Sequence, residues 1–192
     1  MLVLGSRFNH TPVISLQTGT QLALTSRPII DPRNLTIVAY EVDGPLLVQR
    51  PSFLRTNEIR EISPIGMIVD SSDDLIALDD VISLKKIHDF GFDLIGYNVI
   101  DEHKHKLGKV EDYTLETGGF VIQQISVKRT FFRSLTDTSL LIGRSQIVEV
   151  NDTTIIVKST AKKEVEPVME TVRQEYVNPF RHPAPQPEQT EN

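Results

Sequence analysis

The chain has 192 residues, of which 39% are hydrophobic and 24% charged, enough for one ample domain or two small ones. It contains no cysteine, which excludes disulfides, thiolate metal sites and a cysteine nucleophile. Its net charge of -6 comes without a strongly basic segment, so a general affinity for phosphate backbone is disfavoured. No apolar run approaches the roughly 18 to 20 residues of a membrane span, and no basic stretch precedes the short run MLVL as a signal peptide requires. The expectation is a soluble, cytoplasmic protein.

Short β-branched runs separated by turn signals fill residues 1–72. In QLALTSRPIIDPRNLTIVAYEV (21–42) the turn DPRN supplies Pro32 to preset φ and Asn34 to tolerate the left-handed region. Residues 73–92 change period. Asp79 and Asp80 are N-cap candidates, Val81, Leu84 and Ile87 fall near helical spacing, Lys85, Lys86 and His88 sit toward the C-terminal end, and Gly91 closes the segment. Strand signals return over 93–160: NVID, then the polar run DEHKHK, LGKVEDYTL, the turn ETGG with its glycines, FVIQQISV, QIVEV and TIIVK. In residues 161–180, Pro167 suits a first helical position, and Val165, Val168, Met169, Val172 and Tyr176 form one stripe before Asn178-Pro179. Residues 181–192 are proline-rich and polar, with the composition of a disordered tail.

The strand segments repeat. A shift of 85 lays residues 21–42 on 106–127, aligning Leu22 with Leu107, Asp31 with Glu116 and Val42 with Val127. A shift of 88 lays EIREISPIGMIVDS on QIVEVNDTTIIVKS, aligning Ile68 with Ile156 and Val69 with Val157. Two copies of one twisted β unit, each about five strands long, suggest small closed or half-closed barrels that hide their edges. The fold expected is mainly β: two tandem barrels joined by a short helix, with a C-terminal helix and a disordered tail.

The entry Leu94 to Val99 (LIGYNV) and Leu107 to Val110 (LGKV) resemble a PRC-barrel domain. The first copy resembles the same domain in weaker form, with QLAL for the second element and Asn9-His10-Thr11 where the Leu-Ile-Gly entry belongs. PRC-barrels occur as the C-terminal domain of the ribosome maturation factor RimM and as the cytoplasmic part of the photosynthetic reaction-centre H subunit. The resemblance implies docking to partners, with no catalysis and no cofactor.

Candidate sites follow from side-chain chemistry. His103 and His105 alternate on the polar run, so both offer imidazoles to one side, but a specific metal site needs three or four ligands. Asp101 and Glu102 stand beside them; Lys104, Lys106 and Lys109 offer a nucleic-acid contact instead. A solvated hairpin tip with no metal is the reading adopted. No phosphate loop, nucleophile elbow or H-E-x-x-H motif is present, so no enzyme is expected. Partner-binding candidates are Phe131, Phe132 and Arg133 in the connection 128–145, and Tyr176 and Phe180 flanking the end of the second helical stripe. The function expected is a cytoplasmic adaptor docking to a protein assembly, the alternative being an accessory factor in ribosomal RNA maturation.

Overall fold

Alternating apolar residues become strands wherever one face can be buried. The computed structural model describes residues 1–45, 47–129, 139–151 and 153–159. Within them, in chain order, lie β1 (Leu2–Leu4), β2 (Pro12–Ser15), β3 (Gln21–Asp31), β4 (Thr36–Asp43), β5 (Ser52–Arg55), β6 (Glu61–Ser63), β7 (Gly66–Val69) and β8 (Leu75–Ala77). Helix α1 (Ile82–Asp89) follows, then β9 (Asn98–Asp101), β10 (Lys106–Glu116), β11 (Val121–Lys128), β12 (Leu140–Gly143), β13 (Ile147–Val150) and β14 (Thr154–Val157). The protein is mainly β.

One pairing order appears twice. Strands β2 to β5 pair antiparallel in succession, β7 runs parallel beside β2, and β6 pairs with β7. Strands β9 to β12 do likewise, with β14 parallel to β9 and β13 beside β14. The shift of 85 carries β3 onto β10 and β4 onto β11 end to end, and the shift of 88 carries β5 onto β12 and β7 onto β14.

The expectation of two separately closed barrels needs correction. Strand β1 pairs with β10, placing Val3 opposite Leu115, so the start of the chain extends the sheet of its second half. At the hairpin tips Ile37 N–H donates to the Phe120 carbonyl and Ile122 N–H to the Leu35 carbonyl, both at 2.9 Å. These two bonds are reciprocal under the shift of 85. The strands run from β13 to β6 as one path that does not close, and Met1–Thr160 form one compact unit. Size supplies the reason: a unit of roughly 60 residues buries only about 60% of its surface, and a joined pair buries more.

The tips also overrule turn chemistry. Leu35 (φ 49°) and Phe120 (φ 52°) are left-handed, whereas Asn34 and the glycines of ETGG are not. The left-handed conformation costs about 1–2 kcal/mol per residue. Burial returns more, roughly 1.5–3 kcal/mol for each of two side chains that are only 4% and 6% exposed. Phe120 meets the Tyr40 ring edge-on at 6.3 Å, and Phe8 packs on Tyr40 at 6.1 Å. The buried Tyr40 hydroxyl has no hydrogen-bond partner among the described residues, and burial raises its pKa. Tyr40→Phe should therefore hold or raise stability, by up to about 1 kcal/mol, because it removes an unsatisfied polar group; a urea titration that instead shows a loss above 1 kcal/mol would reveal a partner for that hydroxyl.

Between the halves, β8 pairs with β5, so part of the expected helical linker is strand. Helix α1 begins after Val81, which makes no side-chain cap. Asp80 accepts instead from Ala77 N–H at 2.8 Å and Asp79 pairs with Lys85 at 2.6 Å, so neither aspartate is the N-cap. Leu84 buries against Ile29, Ala39 and Phe53 on the outer face of the first half. The expected helix 161–180 and tail 181–192 lie outside the described residues.

Candidate functional site

The β9–β10 turn is organised by one carboxylate. Asp101, 5% exposed at the end of β9, accepts from the His103 and His105 amides at 2.9 and 2.8 Å through Oδ1, and its Oδ2 lies 2.9 Å from His105 Nδ1. Burial pushes the Asp101 carboxyl up, but these hydrogen bonds from His105 and His103 outweigh it and hold it below the usual range. His103 and His105 stack in solvent at 6.0 Å, and Lys104 between them is left-handed at φ 65°. In the first half Ser15 takes the same place, its hydroxyl accepting from Thr18 N–H at 3.3 Å. The side chain at this position therefore serves the turn in both halves.

Asp101, His103 and His105 bring ligand atoms within 4.8 Å of one another, and no fourth His or acidic residue among the described residues joins them. The chemistry suits a three-ligand cation site only if Asp101 gives up the His105 contact. Replacing both histidines with Asn should leave stability within about 0.5 kcal/mol, since both rings are largely exposed. Protein purified without a His-tag should carry no stoichiometric metal by mass spectrometry. Asp101→Ala strips two amides of their acceptor and should lower the melting temperature by on the order of 5 °C, whereas Asp101→Asn, which keeps one acceptor oxygen, should cost less.

Asp31 and Glu116 hold the two hairpin tips in the same way. The Arg33 guanidinium and amide outweigh burial to lower the Asp31 carboxyl, and the Gly118 and Gly119 amides lower that of Glu116. A carboxyl lowered in the folded state contributes stability above its unfolded pKa and loses it as pH falls through the folded value. Thermal stability should thus stay level above about pH 5 and fall below about pH 4; a melting series across that range checks the sign.

A cleft of about 250 Å³ includes Ser6, Arg27, Glu111, Asp112 and Tyr113 in its lining. Its carboxylates carry structural bonds: Asp112 accepts from Ser6 N–H and Oγ, and Glu111 from the Ser139 and Ser126 hydroxyls, which lower its pKa. Ionised, hydrogen-bonded carboxylates of this kind hold β1 and β12 in place.

Charge gathers at one end of the second half. Lys104 and Lys106 lie in and after the β9–β10 turn, Lys109 faces Lys128 directly across the β10–β11 ladder, and Arg129 follows. Lys158 follows Val157, which pairs with Asp101. All six cations are exposed, and none makes an ion pair with a described residue. Of these the sequence reading named only Lys104, Lys106 and Lys109; comparison of charge at aligned repeat positions is the signal that finds the rest. Phe131, Phe132, Arg133, Tyr176 and Phe180 lie outside the described residues. No helix among the described residues is long and apolar enough to cross a membrane.

Residues 88–164 match the PRC-barrel domain family, so such a domain is present in the second half. Among solved structures, the chain is similar to one described as a 16S ribosomal RNA processing protein, RimM, from Pseudomonas aeruginosa. Identity is 17%, coverage is 84% of this chain and 99% of that chain, and the TM-score is 0.29, too low to place residues here by analogy. No curated protein matches this sequence.

Proposed function

We propose that this chain, with its PRC-barrel domain at residues 88–164, is a non-enzymatic cytoplasmic adaptor that docks to a protein assembly, and that its first half is a diverged second copy of that barrel. The recurring strand order and the shifts of 85 and 88 support the second copy. Uncovered apolar surface carries the docking reading. Where α1 covers Ile29, Ala39 and Phe53 in the first half, the second half has Thr114, Gln124 and Leu141, and Leu141 is 58% exposed. Ile95 and Val148 are 45% and 50% exposed on the same half. Leu141 stands uncovered at a position that α1 buries in the first half, and burying it is what a partner would gain.

Co-purification of the tagged chain from its own host, with and without nuclease, tests the reading. Protein partners that survive nuclease and weaken on Leu141→Asp are expected. A second reading, an accessory role in ribosomal RNA maturation, would place RNA phosphates on the six-cation end; in it association collapses on nuclease treatment and the recovered partners are ribosomal.

A further inference from the structure

We infer that the basic end of the second half, formed by the β9–β10 turn, the start of β10, the end of β11 and the residue after β14, is a docking surface for an acidic polypeptide segment. This deepens the adaptor reading and rests on it. The two halves share one framework, so the first half shows what that framework requires at each position. Under the shifts of 85 and 88, Lys104, Lys106, Lys109, Lys128, Arg129 and Lys158 correspond to Gly19, Gln21, Leu24, Asp43, Gly44 and Asp70. Six cations thus stand where the other half has none and has two carboxylates. The strands pair in the same order with either set, so that order does not require the cations.

Lys104 makes the point most sharply. It is left-handed at φ 65°, and its counterpart Gly19 is left-handed at φ 66°. Glycine adopts that conformation without strain, while lysine carries a penalty at the tip of an exposed turn. Asp70 in the first half is tied to Arg60 at 2.8 Å, whereas Lys158 has no such tie to a described residue, and Val148 at the position of Arg60 is half-exposed. The carboxylates at this end offset only part of the charge: Asp101 is spent on the turn, Glu111 accepts two hydroxyls and feels Lys128, and Glu102 and Glu149 stand exposed against six cations.

Charge selects an anion, and the surroundings select its class. The patch dominates within a Debye length of about 8–10 Å, and a long polyanion running past it would meet the remainder of a chain whose net charge is -6. Lys-rich point charges next to the exposed Val148 suit carboxylates interspersed with apolar side chains. Strand β13 lies at the end of the sheet path and has no outer strand partner among the described residues, so it offers backbone groups to an extended segment. The exposed rings at this end are those of His103 and His105, and no exposed Phe or Tyr among the described residues joins them to extend a stacking platform for bases.

The test uses the full chain, a fluorescein-labelled peptide repeating Glu-Glu-Leu, and an oligouridylate of equal charge, read by anisotropy at low and moderate salt. The variants Lys104→Gly, Lys128→Asp and Lys158→Asp install what the first half already carries, singly and together, with melting curves as the folding control. The intact chain should bind the peptide more tightly than the RNA, and the triple variant should bind it about tenfold more weakly or worse. Lys104→Gly alone should weaken binding while melting no lower than the intact chain. Absence of peptide binding, equal binding by the triple variant, or tighter binding of the oligouridylate overturns the inference. In co-purification from the host, a triple variant that keeps every protein partner overturns this surface and leaves the adaptor reading standing; an intact chain that recovers no protein overturns the adaptor reading itself.

Discussion

Replacing Gly108 with alanine lowers stability by about 3 kcal/mol or more and the melting temperature by roughly 10 °C. Gly108 sits at φ 150°, where a side chain is strained, and a Cβ there would lie 2.0 Å from the Lys128 carbonyl oxygen and 2.8 Å from its carbon. Both are backbone atoms of the neighbouring strand, so no side chain can turn aside to make room. The register shift between Lys106 and Gly108 lets β10 pass from β9 to β11, and the glycine is what that bend requires. The counterpart in the first half is Ala23, which is not left-handed, and there the register shift falls between Val13 and Ile14 instead. A Gly108→Ala chain that keeps its stability within about 1 kcal/mol by urea titration would mean that β10 can adopt the path of β3.

Cutting the chain at residue 90 removes cooperative folding from both pieces. Val3, Leu35, Tyr40 and Phe120 are each at most 7% exposed at the junction of the halves. Re-exposing four such side chains costs up to roughly 6–12 kcal/mol, which is comparable to the roughly 5–15 kcal/mol that holds a whole domain folded. Fragments 1–90 and 91–192 expressed apart should melt without a cooperative transition; co-expressed, they should elute together. Two fragments with sharp independent melts would restore separate barrels. Gly5→Ala is the single-residue version of the same cut. Its Cβ would lie 2.2 Å from the buried Tyr113 ring, so the turn that follows β1 must lift from β10.

Hairpins and repeat were legible because apolar alternation and a fixed offset are local or self-referring signals. Strand β1 was not, since three residues of MLVLG show no period and their partner strand is distant in sequence, Val3 standing opposite Leu115, 112 positions away. Turn residues misled where tertiary burial outweighed propensity, as at Leu35 and Phe120. Asp79 and Asp80 misled because a carboxylate beside a helix start can serve the turn before it as readily as the helix. Phe131, Phe132 and Tyr176 are conspicuous in the sequence as aromatics, while the basic end is hidden there because Lys106, Lys128 and Lys158 are distant in sequence and diluted by acidic neighbours.

The reciprocal bonds between Ile37 and Phe120 and between Ile122 and Leu35 form a two-fold contact within a single polypeptide. In a dimer of identical subunits, symmetry would display every surface twice, and a partner would meet two equal sites. Within one chain that rule does not hold, so Lys158 stands where the other half has Asp70. The acidic segment proposed above would then find one site per chain, and a saturating titration should end at one-to-one stoichiometry.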